Sequence, residues 1–126
     1  MRKRTVAAGL AIAIALAAPV RADDVWTGRV KQNSGATDYT VVMRLSGDGG
    51  ETEYPELKCG GKLTRVAQSG DYSFYLETIT TAGTGCIDGA ITLVSSRDTI
   101  TWGWVGTSKG ETYVAWSSLT RKCRRC

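Results

Sequence analysis

The sequence predicts an all-β domain: about eight short antiparallel strands wound as a meander into a small up-and-down, lipocalin-like barrel. Three observations predict it. Apolar and polar residues alternate with period two along nearly all of the chain after residue 22. β-branched and aromatic residues are concentrated in those alternating runs. The runs are separated by Gly, Asp and Ser clusters, nearly all short enough for hairpins. A two-sheet sandwich has the same periodicity and stands as the alternative architecture.

The first strand is Val25 to Lys31, with Trp26, Gly28 and Val30 on one face. A polar loop, Gln32-Asn33-Ser34-Gly35-Ala36-Thr37, leads to the second, Tyr39 to Leu45, whose apolar face is Tyr39, Val41, Met43 and Leu45. The turn Ser46-Gly47-Asp48-Gly49-Gly50 introduces Glu51 to Tyr54, and the fourth strand, Lys62 to Gln68, is expected only after the double glycine Gly60-Gly61. The fifth, Tyr72 to Thr80, follows Ser69-Gly70-Asp71 and carries two candidate inner rows, Tyr72, Phe74 and Leu76 against Tyr75, Glu77 and Ile79. One of these rows is expected to cover a loop or a partner. Asp88-Gly89 reads as a tight turn with glycine in the left-handed region, ahead of Ala90 to Val94. Thr99 to Val105, with Ile100, Trp102 and Trp104 on one face, and Thr112 to Leu119 complete the set.

Residues 1–22 read as an address. Arg2, Lys3 and Arg4 precede a 15-residue apolar stretch, Val6 to Val20, and Val20-Arg21-Ala22 supplies the small residues of a cleavage site. A span needs about 20 apolar residues, so this stretch reads as a signal peptide, with no stable membrane insertion after cleavage. The expected organisation is a signal at 1–22, one barrel domain at 23–120 and a basic, cysteine-containing tail at 121–126. The expected location is the periplasm or the exterior of a bacterial cell, and the expected state a monomer.

Sixteen Lys and Arg stand against twelve Asp and Glu, but four of the cations lie in the signal and four more in the last six residues. Residues 23–120 therefore carry eight basic and twelve acidic groups. Nucleic-acid binding needs a basic face able to displace counterions from phosphates, and this body does not supply one.

Histidine is absent, which excludes Ser-His-Asp and Cys-His catalysis and His-based zinc sites. Acid and base work would fall to carboxylates. Glu77 is the foremost candidate, since an inward position would raise its pKa and make it a proton donor; the structural reading pairs it with Arg44 or Arg65, or turns it to water. Glu51, Glu53, Asp88 and Glu111 cannot be assembled into a glycosidase pair from sequence. Asp48 and Asp88 lie in Gly-rich turns without a calcium-loop spacing, so no metal or cofactor is expected. Trp102 and Trp104 read as core rings, and Trp116 equally as core or as an exposed platform; with Glu77 they are the candidate interior or ligand-contacting residues. Trp and Met inside so short a barrel can leave it nearly solid, and the sequence leaves a packed and a hollow interior both open.

Trp26-x-Gly28, Tyr54-Pro55-x-Leu57-x-Cys59-Gly60-Gly61-x-Leu63, Glu77-x-Ile79, Cys86-x-Asp88-Gly89, Trp102-x-Trp104 and Leu119-Thr120-Arg121 together resemble a family of small exported bacterial modules. Such modules occur alone and as extracellular tails of serine/threonine kinases. The resemblance spans the mature chain, except for the ending Cys123-Arg124-Arg125-Cys126, and implies no established activity. Four cysteines allow three connectivities; the matching motif blocks favour Cys59 with Cys86, leaving Cys123 with Cys126 as near neighbours. A thioredoxin-like role for the terminal pair would need a helix N-terminus in a βα unit, and no such unit is predicted.

The expected function is a non-catalytic exported binding module that recognises a macromolecule or envelope component through loops at a barrel end, in one form as an inhibitor of an exported hydrolase. The alternatives use the barrel interior, as a carboxylate-dependent enzyme built on Glu77 or as a carrier of a small ligand.

Overall fold

The computed structural model describes residues 24–122. The expected signal segment, Cys123 and Cys126 lie outside the described residues.

Eight strands close into a barrel in sequence order: β1 (Val25–Gln32), β2 (Tyr39–Ser46), β3 (Gly49–Tyr54), β4 (Cys59–Ser69), β5 (Tyr72–Thr81), β6 (Gly89–Ser95), β7 (Thr99–Ser108) and β8 (Glu111–Arg121). All neighbours are antiparallel, and the β1–β8 seam closes through Trp26 opposite Arg121 at one end and Gln32 opposite Ala115 at the other. Closure leaves no unpaired edge, which decides the barrel over the sandwich. Among the described residues, no helix is long and apolar enough to cross a membrane.

Two boundaries differ from the sequence reading. β4 begins at Cys59, so Gly60 and Gly61 lie inside the ladder, opposite Glu53 and Thr52. The turn ahead of β4 is instead a single 3-10 turn, Pro55–Leu57, closed by the Lys58 N–H donating to the Pro55 carbonyl at 3.1 Å. Further along β4 the register shifts between Arg65 and Ala67, and Val66 is left half exposed at the bulge.

The expected inner faces of β1, β2 and β7 all point inward: Trp26 and Val30, Tyr39, Val41 and Met43, and Ile100 and Trp102 are buried. In β5 the inner row is Tyr75 and Glu77, while Tyr72 and Leu76 are exposed. The connections sort the barrel into two ends. The β2–β3, β4–β5 and β6–β7 turns cap a solid end packed with Met43, Leu63, Leu93, Ile100 and Leu119, each essentially buried. Every such side chain contributes roughly 1.5–3 kcal/mol of burial. Trp26 closes this end with the Arg121 guanidinium 4.9 Å from its ring centroid, and the Lys122 N–H donates to the Val25 carbonyl, so both ends of the described chain meet here. The β1–β2, β3–β4, β5–β6 and β7–β8 connections surround the other end.

Candidate functional site

That second end is hollow. A cavity of about 450 Å³ opens between the β1–β2 loop, the 3-10 turn, the β5–β6 loop and the β7–β8 turn. Five aromatic rings stand on its wall, Tyr39, Tyr54, Trp102, Trp104 and Tyr113, beside the aliphatic Leu57, Ile79 and Ile87. Of the packed and hollow interiors that the sequence leaves open, the barrel has one at each end. Trp102 and Met43 fill the centre, but the rings toward the second end stand against the walls.

Glu77 lines this cavity at 2 % exposure. Neither Arg44 nor Arg65 reaches it; among the described residues it forms no ion pair. Three neutral donors hold it instead. Thr52 Oγ1 and Tyr54 OH both donate to Oε2, the latter at 2.7 Å, and Trp104 Nε1 donates to Oε1 at 2.9 Å. Burial pushes the Glu77 carboxyl above its ordinary value of 4.5, against the opposing pull of these three bonds. The same charge and the same burial act on the phenols around it: Tyr39 is pushed up to about 12, chiefly by burial, and Tyr54 well above the ordinary tyrosine value.

The local sequence makes room for this arrangement. A Cβ on Gly61 would lie 2.9 Å from Glu77 Cγ, so the second glycine of the Cys-Gly-Gly block clears the space for the carboxylate. A Cβ on Gly89 would lie 2.6 Å from Trp104 Cζ2, and one on Gly106 2.5 Å from its Cη2. The Trp104 ring is seated on two bare strands. Gly89 is thus needed for close approach; it opens β6 and does not adopt the left-handed turn expected from Asp88-Gly89. Asp88 serves the loop in another way, its Oδ1 accepting the Ile79 N–H at 2.8 Å.

The disulfide joins Cys59 to Cys86, as the motif blocks imply, at the rim of the cavity. It anchors the β5–β6 loop to the start of β4, helped by the Thr84 N–H donating to the Leu57 carbonyl at 3.0 Å. Across the rim, Tyr39 OH donates to Gln32 Oε1 at 2.6 Å, and Asn33 exchanges hydrogen bonds with the Val114 backbone, fixing the β1–β2 loop to β8.

The four candidate interior residues separate. Glu77, Trp102 and Trp104 come together in the cavity; Trp116 does not, and stands 49 % exposed on the outer wall beside Val105 and Val114. Thr52 and Tyr54 are hydrogen-bond partners of Glu77 that the sequence reading does not single out. Alternation along β3 carries the signal: both share the inward face, and an inward threonine in a barrel strand needs a polar partner inside.

The stability of the protein carries the sign of the Glu77 shift. A carboxyl raised on folding stabilises most below its unfolded value, near 4.5, and this contribution is lost as pH rises through the higher folded value. Glu77→Gln keeps an acceptor for Trp104 and offers amide donors to the Thr52 and Tyr54 hydroxyls, which can accept. The urea midpoint of Glu77→Gln minus that of the native chain is therefore expected to grow as pH rises above 4.5 and then level off; a difference independent of pH would refute it. Glu56 does not confuse the comparison, because it titrates on the other side. Its hydrogen bonds from Thr40, and then Arg29, hold it down at about 2, so its contribution is lost only as pH falls below 4.5.

Comparison of the chain with protein-family models, with curated proteins and with solved structures found no match in any of the three, so the resemblance rests on the residues that carry it and the site on its own geometry.

Proposed function

We propose that this protein is an exported, non-catalytic binding module that holds a small ligand inside its barrel. The observation that carries the reading is the half-hollow interior: a cavity of about 450 Å³ with five aromatic rings and, among the described residues, a single carboxylate on its wall. That volume lies in the range of about 300–1,000 Å³ typical of small-molecule sites, which combine apolar walls with a few polar groups. At interior packing density it holds roughly 15–20 non-hydrogen atoms. The loops expected to meet a macromolecule form the rim of this cavity, which moves the weight of the reading to the interior.

Binding is favoured over catalysis because, among the described residues, Glu77 is the one carboxylate on the cavity wall; Asp88, whose charge acts on Glu77 from nearby, is not on that wall, and its Oδ1 is taken by the Ile79 N–H. Two-carboxylate hydrolysis needs a second at roughly 5–9.5 Å. Export is supported by the disulfide, a bond of oxidising compartments, and by the signal-like first 22 residues.

N-Phenyl-1-naphthylamine, a neutral apolar probe of suitable size, is expected to gain fluorescence on the purified domain with saturable, one-to-one binding. Native mass spectrometry should show the same stoichiometry. Absence of saturable binding by both measurements would remove the reading.

A further inference from the structure

Glu77 is incompletely used. A carboxylate offers about four lone-pair sites, and three are taken: two on Oε2, by Thr52 and Tyr54, and one on Oε1, by Trp104. One acceptor site on Oε1 is open, on a side chain that lines the cavity. The three partners are neutral, and among the described residues no Lys or Arg balances the charge. Lys109 also lines the cavity, but it sits exposed in the β7–β8 turn and forms no ion pair with Glu77.

A buried carboxylate without a counter-ion is costly, and such groups are ordinarily paired. Here the hydrogen-bond frame orients the group while leaving its charge uncompensated. The surrounding walls are those that favour a cation: the π faces of Trp and Tyr attract positive charge, and five such rings line the space. A neutral alcohol would fill the open Oε1 site without compensating the charge, and an anion would be repelled.

We propose that the cavity is a receptor for a small organic cation, a protonated amine on an apolar body, whose charged nitrogen donates to Glu77 Oε1 while its body packs against the aromatic walls. The inference rests on the interior-binding reading and names its ligand class. Charge-assisted hydrogen bonds are roughly twice as strong as neutral ones, so an amine should outbind its alcohol analogue by at least about tenfold.

The test uses one body with three head groups: 2-phenylethylamine, 2-phenylethanol and 3-phenylpropanoate, each competed against N-phenyl-1-naphthylamine on the full mature protein at pH 7. The expected order is amine, then alcohol, then carboxylate, with the amine at least about tenfold ahead, and with that preference lost in Glu77→Gln. A second readout needs no variant: the Trp104 indole N–H resonance, which reports on Oε1, is expected to shift on titration with the amine and far less with the alcohol. Displacement by all three with equal potency, an amine preference that persists in Glu77→Gln, or an unmoved Trp104 resonance would overturn the cation assignment while leaving interior binding intact. If the probe itself fails to bind, both readings fall together.

Discussion

Trp102→Ala is expected to lower stability by about 3–5 kcal/mol, the range for truncating a large buried aromatic ring. In a domain of this size each kcal/mol moves the melting temperature by roughly 4–8 °C, so a fall on the order of 12–40 °C should be seen by circular dichroism. Trp102 is 1 % exposed, sits between the packed end and the cavity, and pairs across the ladder with Leu93 and Ser117. Truncation would extend the cavity downward into the solid half. Trp102→Phe separates packing from polarity. Trp102 Nε1 is buried with no hydrogen-bond partner, so phenylalanine sheds an unsatisfied donor while keeping a ring, and its cost should be about half or less. A loss under about 1 kcal/mol for the alanine variant would mean that the ring is not a packed element.

The second large effect belongs to the disulfide. Cys59 and Cys86 are 27 residues apart, and the chain-entropy account gives a stabilisation on the order of 3–4 kcal/mol for a loop of that length. The double variant Cys59→Ser/Cys86→Ser is expected to lose about that much in urea unfolding and, separately, to bind N-phenyl-1-naphthylamine more weakly. The second effect arises because Thr84, Gly85, Cys86 and Ile87 all stand on the cavity wall. Without the covalent tie this loop is held by the Thr84 N–H to the Leu57 carbonyl, the Ile79 N–H to Asp88, and the Gly83 N–H to the side chain at Cys59, whose serine replacement can also accept. Full stability and full affinity in the double variant would deny the bond both roles.

Period-two alternation was sufficient for the strands because a barrel with one wet and one dry face enforces it at every position. It failed where glycine replaces a side chain. Gly60-Gly61 carries no apolar signal and reads as a loop, yet both residues lie in a ladder, and Gly61 is bare because Glu77 needs the space. Gly89 reads as a turn residue for a similar reason: its vacancy serves a tryptophan ring that is 15 residues away in sequence. The orientation of β5 was also undecided, since both of its rows are apolar and only closure of the whole sheet turns Tyr75 and Glu77 inward. The hollow lay beyond the reach of periodicity. It depends on how five aromatic rings lean, and composition predicts the same rings whether they meet at the axis or stand against the walls.

The meeting of Lys122 with Val25 at the solid end has a geometric consequence for how the domain can be presented. Both connections to the rest of a polypeptide leave from the floor, on the side away from the cavity. A fusion partner, a tag or an immobilising surface attached at either terminus would therefore act as a stalk beneath a cup, and even a short linker would leave its mouth facing the medium.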